Sequence, residues 1–202
     1  MSYRNTQAAR RTLHELASQQ GGYFTAKQAI SAGYSKQHVD YHVNAGNFQR
    51  VGRGLYRLPE VPVAEHDDLI RLSLWSRGRD DEHQAVASHE TALGVLELGE
   101  LLPKKVHLTV PPTFRKKPPR AVVLHRATVA AGELEEREGF RITDAARTLL
   151  DVAAGDSVPQ EQLEKALNDA LQRGLVRRAA LTRMADGKTI PARLAEALKR
   201  IG

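Results

Sequence analysis

This chain of 202 residues has no cysteine, one tryptophan and an aromatic content of only 5%. Without cysteine it can build neither a disulfide framework nor a zinc site based on thiolates, and its composition fits a reducing compartment. No apolar run approaches the ~20 residues that span a bilayer. Residues 1–11 are polar and lack the apolar core of a secretory signal. A cytoplasmic protein with no membrane partner is expected. Catalytic signatures are also missing. There is no Gly-rich phosphate loop and no nucleophile-elbow spacing. His38 and His42 stand four apart, but no glutamate follows His38 as in zinc peptidases. Ser88-His89-Glu90-Thr91 is followed by Leu93 where a second ligand would stand, so Ser88 reads as a helix cap and the His-Glu pair as structural. The acids fall mostly in loops and on exposed faces, for example Glu133-Leu-Glu-Glu-Arg-Glu138. No catalytic residue, metal site or cofactor is expected, and the chain does not read as an enzyme.

Acidic residues are scarce in one place. Residues 1–59 hold only Glu15 and Asp40, against Arg4, Arg10, Arg11, Lys27, Lys36, Arg50, Arg53 and Arg57. That accounts for the whole net charge of +6, since residues 60–202 carry equal numbers of each sign. A one-sided excess on a short segment suggests a polyanionic partner, and double-stranded DNA is the first candidate.

The element pattern agrees. Over residues 6–20 Ala9, Leu13, Leu16 and Ala17 recur at helical steps, and Gly21-Gly22 ends the run. Thr25 with Gln28 has capping-box spacing and opens a short helix over 26–32. Gly33 supplies a turn, Ser35 caps a second helix over 36–45, and Gly46 stops it. Residues 48–51 and 55–58 read as strands around Gly52-Arg53-Gly54, a hairpin with a basic tip. Three helices and a hairpin in this order predict a winged helix-turn-helix. Pro59-Glu-Val-Pro62 marks a boundary, giving residues 1–60 as the DNA-binding domain and 61–202 as a mixed α/β domain, an α+β chain overall. In the second part helices are expected over 66–75, 85–98, 144–153 (capped by Thr143), 160–173, 178–184 and from Pro191 to about Ile201. Strands are expected over 106–110, 121–125 and 140–142.

On the second short helix Val39 and Val43 should face the core. The other side presents Ser35, Lys36, Gln37, Asp40, Tyr41 and Asn44. Lysine can donate to guanine, glutamine and asparagine can pair bidentately with adenine, and aspartate can accept from cytosine. Arg50, Arg53 and Arg57 suit phosphates or a narrow minor groove, and Arg4, Arg10 and Arg11 could touch phosphates from the first helix. Arg115, Lys116 and Lys117, in a proline-bounded loop, read either as a solvated hairpin tip or as a second nucleic-acid contact.

Several segments resemble the AbiEi-type antitoxins, the repressor halves of type IV, abortive-infection toxin–antitoxin systems. They are Gly22-Tyr-Phe-Thr-Ala-Lys-Gln-Ala29, Ala32-Gly-Tyr-Ser-Lys36 and Gly52-Arg-Gly-Leu-Tyr-Arg-Leu58. The likeness continues through Ala87-Ser-His-Glu-Thr-Ala-Leu93, Val106-His-Leu-Thr-Val-Pro111, Val123-Leu-His-Arg126, Ile142-Thr-Asp-Ala-Ala-Arg-Thr-Leu-Leu-Asp151 and Ala170-Leu-Gln-Arg-Gly-Leu-Val176. The resemblance implies a winged-helix repressor of its own promoter, bound at inverted repeats, as a monomer in solution or a weak dimer on DNA. It also implies an α/β antitoxin domain that opposes a nucleotidyltransferase toxin without a stable complex. Asp40 and Tyr41 stand where the family often has arginine. Longer members carry a nuclease-like domain with a Glu-Val-Asp-Gly motif that this sequence lacks, so no nuclease function follows. Two rival readings stand beside this one: an enzyme of nucleic-acid processing that uses the winged helix for targeting, and an orphan regulator or protein-interaction module.

Overall fold

The computed structural model describes residues 3–181 and 190–201, with side chains from residue 7. It is a mixed α+β chain that divides into two compact units: residues 1–84 with 136–140, and residues 85–135 with 141–202.

In the first unit α1 (Tyr3–Ser18) buries Ala9, Leu13 and Ala17, the face its spacing predicts. Gly21 and Gly22 then turn the chain at φ +58° and +85°. Both are required by φ and by space: a Cβ would lie 2.9 Å from Ile70 Cδ1 at the first and 2.8 Å from Val61 Cβ at the second. The turn leads into β1 (Tyr23–Thr25), a strand the sequence pattern does not announce. Thr25 caps α2 (Ala26–Ser31) through the full capping box with Gln28. Ser35 caps α3 (Lys36–Asn44), its Oγ accepting from the His38 amide at 3.2 Å. The hairpin β2 (Gln49–Gly52) and β3 (Leu55–Arg57) follows, with an irregular register between Arg50 and Gly52. β3 lies in the middle of an antiparallel sheet ordered β1-β3-β2.

Behind the sheet sits an aromatic core. Phe24 meets Phe48 edge-on at 4.9 Å and stacks with Tyr56 at 5.6 Å, and Tyr34 closes on Phe48 at 5.6 Å. The few aromatic residues of the chain gather in this unit; the second unit contains only Phe114. The unit also extends past the Pro59–Pro62 boundary expected from the sequence. α4 (Asp67–Ser76) stays with it because Tyr23 donates to Asp67 at 2.9 Å and Arg77 donates to Gln20 at 3.0 Å.

The second unit is built on a five-stranded sheet ordered β6-β5-β4-β8-β7. Its strands are β4 (Val86–Ala87), β5 (Val106–Val110), β6 (Val122–Arg126), β7 (Leu134–Arg137) and β8 (Phe140–Thr143), of which residues 136–140, around the β7–β8 turn, are counted with the first unit. Its longer helices among the described residues are α5 (His89–Val95), α6 (Ala145–Ala154), α7 (Gln160–Gln172) and α8 (Ala192–Arg200), and α6 packs on the other three. Three expectations are corrected here. The helix expected over 85–98 starts at His89, because Val86 and Ala87 pair with β5 and β8 as a short strand. The cap of α6 is Asp144, whose carboxylate accepts from the Arg147 amide at 2.7 Å; Thr143 ends β8 instead. Finally, β5 and β6 run parallel, so the Arg115-Lys116-Lys117 segment is a crossover and not a hairpin tip. Phe114, 3% exposed, anchors it. The helix expected over 178–184 is helical to Leu181; its remainder, to Met184, lies outside the described residues, as does the side chain of Arg4.

Candidate nucleic-acid interface

α3 presents two chemically distinct sides. Val39 is buried at 3% exposure and Val43 packs against the same core. Lys36, Gln37, Asp40, Tyr41 and Asn44 are exposed on the opposite side, at steps of one, three, one and three, which is one helical face. Ser35 is half-buried with its hydroxyl engaged in the cap. Tyr41 is 64% exposed, high for so large a ring. At the far end of the helix the His42 ring lies tilted against Phe48 at 4.8 Å and its Nδ1 meets the Asn47 amide at 3.1 Å. Burial, followed by the charges of His38 and Arg10, depresses the His42 pKa. His42 is therefore part of the packing.

Arg50 and Arg53 are exposed on the hairpin, with Arg53 beside the turn glycine Gly54 at φ +68°. The Gly54 carbonyl accepts from the Ala26 amide at 2.9 Å, which ties the hairpin tip to the start of α2. Arg57 corrects the expectation. It is 8% exposed, its Nη2 donates to the Val61 carbonyl, and its guanidinium carbon lies 5.8 Å from the Tyr23 ring centroid. As a residue of the central strand it is covered from both sides, and it pins the segment after β3 instead of facing outward. Arg115, Lys116 and Lys117 are exposed.

The second unit contains a cluster around His89 and Glu90, a pair that reads as structural in the sequence and whose partners His107 and His125 the sequence does not bring to it. Glu90, 6% exposed, places Oε2 2.9 Å from His107 Nδ1, and that nitrogen lies 3.0 Å from His125 Nε2. His89 stacks on His125 at 3.5 Å and its Nδ1 is 2.9 Å from Ser88 Oγ, which also accepts from Thr109 at 2.8 Å. Burial would raise the Glu90 pKa, but hydrogen bonds from His107 and Ser157 outweigh it and bring the value down to about 2. Burial and the neighbouring His125 push His89 down to about 4, and burial with His107 lowers His125. These groups come from three separate segments. The available signal was the alternation on β5 and β6, whose register puts His107, Thr109 and His125 on one sheet face. No group of three metal-ligating side chains able to hold an ion occurs among the described residues.

Residues 11–59, which include α2, α3 and the hairpin, match a family described as transcriptional regulator, AbiEi antitoxin. No curated protein matches the chain. Among solved structures the fold is similar to the crystal structure of the RV2827C protein from Mycobacterium tuberculosis. The TM-score is 0.63 at 17% identity, over 97% of this chain and 78% of that one. That likeness is one of fold. No helix among the described residues is long and apolar enough to cross a membrane.

Proposed function

We propose that the chain is a sequence-specific DNA-binding transcriptional repressor, with residues 1–60 acting as a winged helix-turn-helix. The observation that carries this reading is the exposed polar face of α3, together with the exposed Arg50 and Arg53, inside the segment that matches antitoxin regulators. α3 enters the major groove, where Lys36, Gln37, Asp40, Tyr41 and Asn44 meet base edges. The N-terminus of α3 at Ser35, with Arg50 and Arg53, holds phosphates, and Arg10 and Arg11 extend the basic surface along α1. Residues 61–202 act as the antitoxin part, opposing a nucleotidyltransferase toxin without a stable complex, while two protomers occupy inverted repeats of the chain's own promoter. A gel shift with the DNA upstream of its reading frame, competed with unrelated duplex, tests the proposal. A retarded band that only upstream DNA competes away supports it; equal competition by any duplex removes sequence-specific repression.

One observation favours a second reading. An enzyme of nucleic-acid processing would need converging histidine and carboxylate groups, and Glu90, His89, His107 and His125 converge. Imidazoles beside a carboxylate suit acid–base chemistry. Turnover of RNA or DNA that persists in chelator and disappears in His125→Ala would support it.

A further inference from the structure

The neutral total of residues 60–202 conceals a local excess. Residues 101–132 hold seven lysines and arginines and neither an aspartate nor a glutamate. All seven are exposed. No ion pair joins Lys104, Lys105, Arg115, Arg120 or Arg126 to another described residue. Register gathers this charge about one strand, β6, which stands at the end of the sheet. β6 runs parallel to β5 with Val106 beside Val122, so Lys104 and Lys105 precede β5 at the end where Arg120 precedes β6. Arg126 lies at the opposite end, beside Val110. Two hydrogen bonds fix which way the β6 backbone faces. The Val106 amide donates to the Ala121 carbonyl at 2.9 Å, and the Ala127 amide donates to the Val110 carbonyl at 3.1 Å. Peptide groups alternate in direction along a strand, so Val123 and His125 bond to β5 while Val122, Leu124 and Arg126 turn theirs outward. The Val122 amide folds back to the Pro119 carbonyl at 3.3 Å. The Val122 carbonyl and both backbone groups of Leu124 and Arg126 bond to no other described residue.

We propose that β6 is a docking edge for an extended acidic segment of a partner protein, which adds to the sheet as a further strand. Its backbone pairs with the outward groups of Val122, Leu124 and Arg126. Its carboxylates meet Lys104, Lys105 and Arg120 at one end and Arg126 at the other. From Arg120 to Arg126 an extended chain runs about 20 Å, so acids roughly six residues apart match both ends. Charge selects among the occupants of an open edge. A second copy of β6 would set Arg120 and Arg126 against like charges. Nucleic acid would answer the cations but leave the edge amides unpaired. It would also find little to stack a base on, since Phe114 is the one phenylalanine, tyrosine or tryptophan in residues 101–132 and is buried. An acidic strand satisfies cations and backbone together. This surface belongs to the second unit, and the proposal does not depend on the DNA-binding reading.

Fluorescence anisotropy of a labelled peptide, Glu-Glu-Val-Thr-Val-Thr-Val-Glu-Glu, against the full chain tests it. One control peptide has lysine for every glutamate; the other keeps the charge but has proline at its three central positions. The expected result is saturable binding of the first peptide. Affinity falls roughly tenfold or more for each control, and by a similar factor when Arg120→Gln and Arg126→Gln are combined. Both arginines are exposed, so the double variant should fold, and circular dichroism verifies it. Amide hydrogen exchange read by nuclear magnetic resonance locates the contact. Exchange at Leu124 and Arg126 slows on binding, whereas Val123 and His125, already bonded to β5, stay as they were. Absence of saturation at millimolar peptide overturns the proposal. Equal affinity for the proline peptide, or unchanged exchange at Leu124, reduces the contact to charge alone and also overturns it. If instead the double variant loses affinity for unrelated duplex DNA and no peptide binds, the surface belongs to nucleic acid and the proposal falls.

Discussion

Glu90 Oε2 and His125 Nε2 share one neighbour, His107 Nδ1, at 2.9 and 3.0 Å. With its proton on Nδ1, His107 can donate toward both. A second proton on His125 Nε2 would set two donors face to face, which fits the lowered pKa of that ring.

Acid should therefore destabilise the second unit in two stages. His89 titrates near 4 when folded against an ordinary 6.5, so the unfolded chain takes up its proton first. Stability is lost as pH falls from about 6.5 to about 4. Glu90 titrates near 2 against an ordinary 4.5; its contribution is complete above 4.5 and is lost as pH falls toward 2. Far-ultraviolet melting curves across this range check both stages. His89→Gln should flatten the upper one and Glu90→Gln the lower. A melting temperature that stays level from pH 7 to pH 4 would contradict the first.

The two hairpin arginines should separate by assay. Arg53→Ala weakens binding to every DNA sequence and reduces the slope of log affinity against log salt by about one, with stability unchanged. Arg57→Ala removes the bond to the Val61 carbonyl and lowers stability by roughly 1–3 kcal/mol. Salt-dependent titrations and denaturant curves on both variants distinguish the roles. Reversed effects would put Arg57 back on the DNA.

Gln37→Ala and Asn44→Ala should each cost ~1–3 kcal/mol at a single operator base pair while leaving non-specific binding intact. Competition with a set of singly substituted operators measures this. A uniform loss over all sequences would reassign the residue to the backbone.

Gly22 and Gly46 both have positive φ, at 85° and 77°. A Cβ at Gly46 meets nothing within 4 Å, whereas at Gly22 it strikes the Val61 side chain at 2.8 Å. Gly46→Ala should cost about 1 kcal/mol in backbone strain, and Gly22→Ala more, since the loop after β3 must also shift. Equal losses in urea unfolding would mean that Val61 yields freely.

The helices of the first unit were legible because periodicity and caps act locally: Thr25 with Gln28, and Ser35 at the start of α3, lie within one turn of the amides they satisfy. Strand partners were not. β1 spans three residues with no alternation to read, and without it β3 looks like an edge, which is why Arg57 reads as exposed. β4 hid inside an apolar run that also suits a helix, and only pairing with β5 and β8 decides it. The direction of β6 against β5 depends on a crossover that composition does not reveal. The polar face of α3 was legible from Val39 and Val43; the Glu90 cluster was not, because sheet register alone joins His107 to His125.

The uneven placement of rings has an optical consequence. Trp75 and all five tyrosines fall in the first unit, and the second has a single Phe114. Tryptophan and tyrosine emission and their near-ultraviolet dichroic bands therefore report one half of the chain, while the other adds only the weak bands of one phenylalanine. Unfolding of the half that carries α3 can be followed with no label, and any event seen only in the far-ultraviolet belongs to the half that carries Glu90.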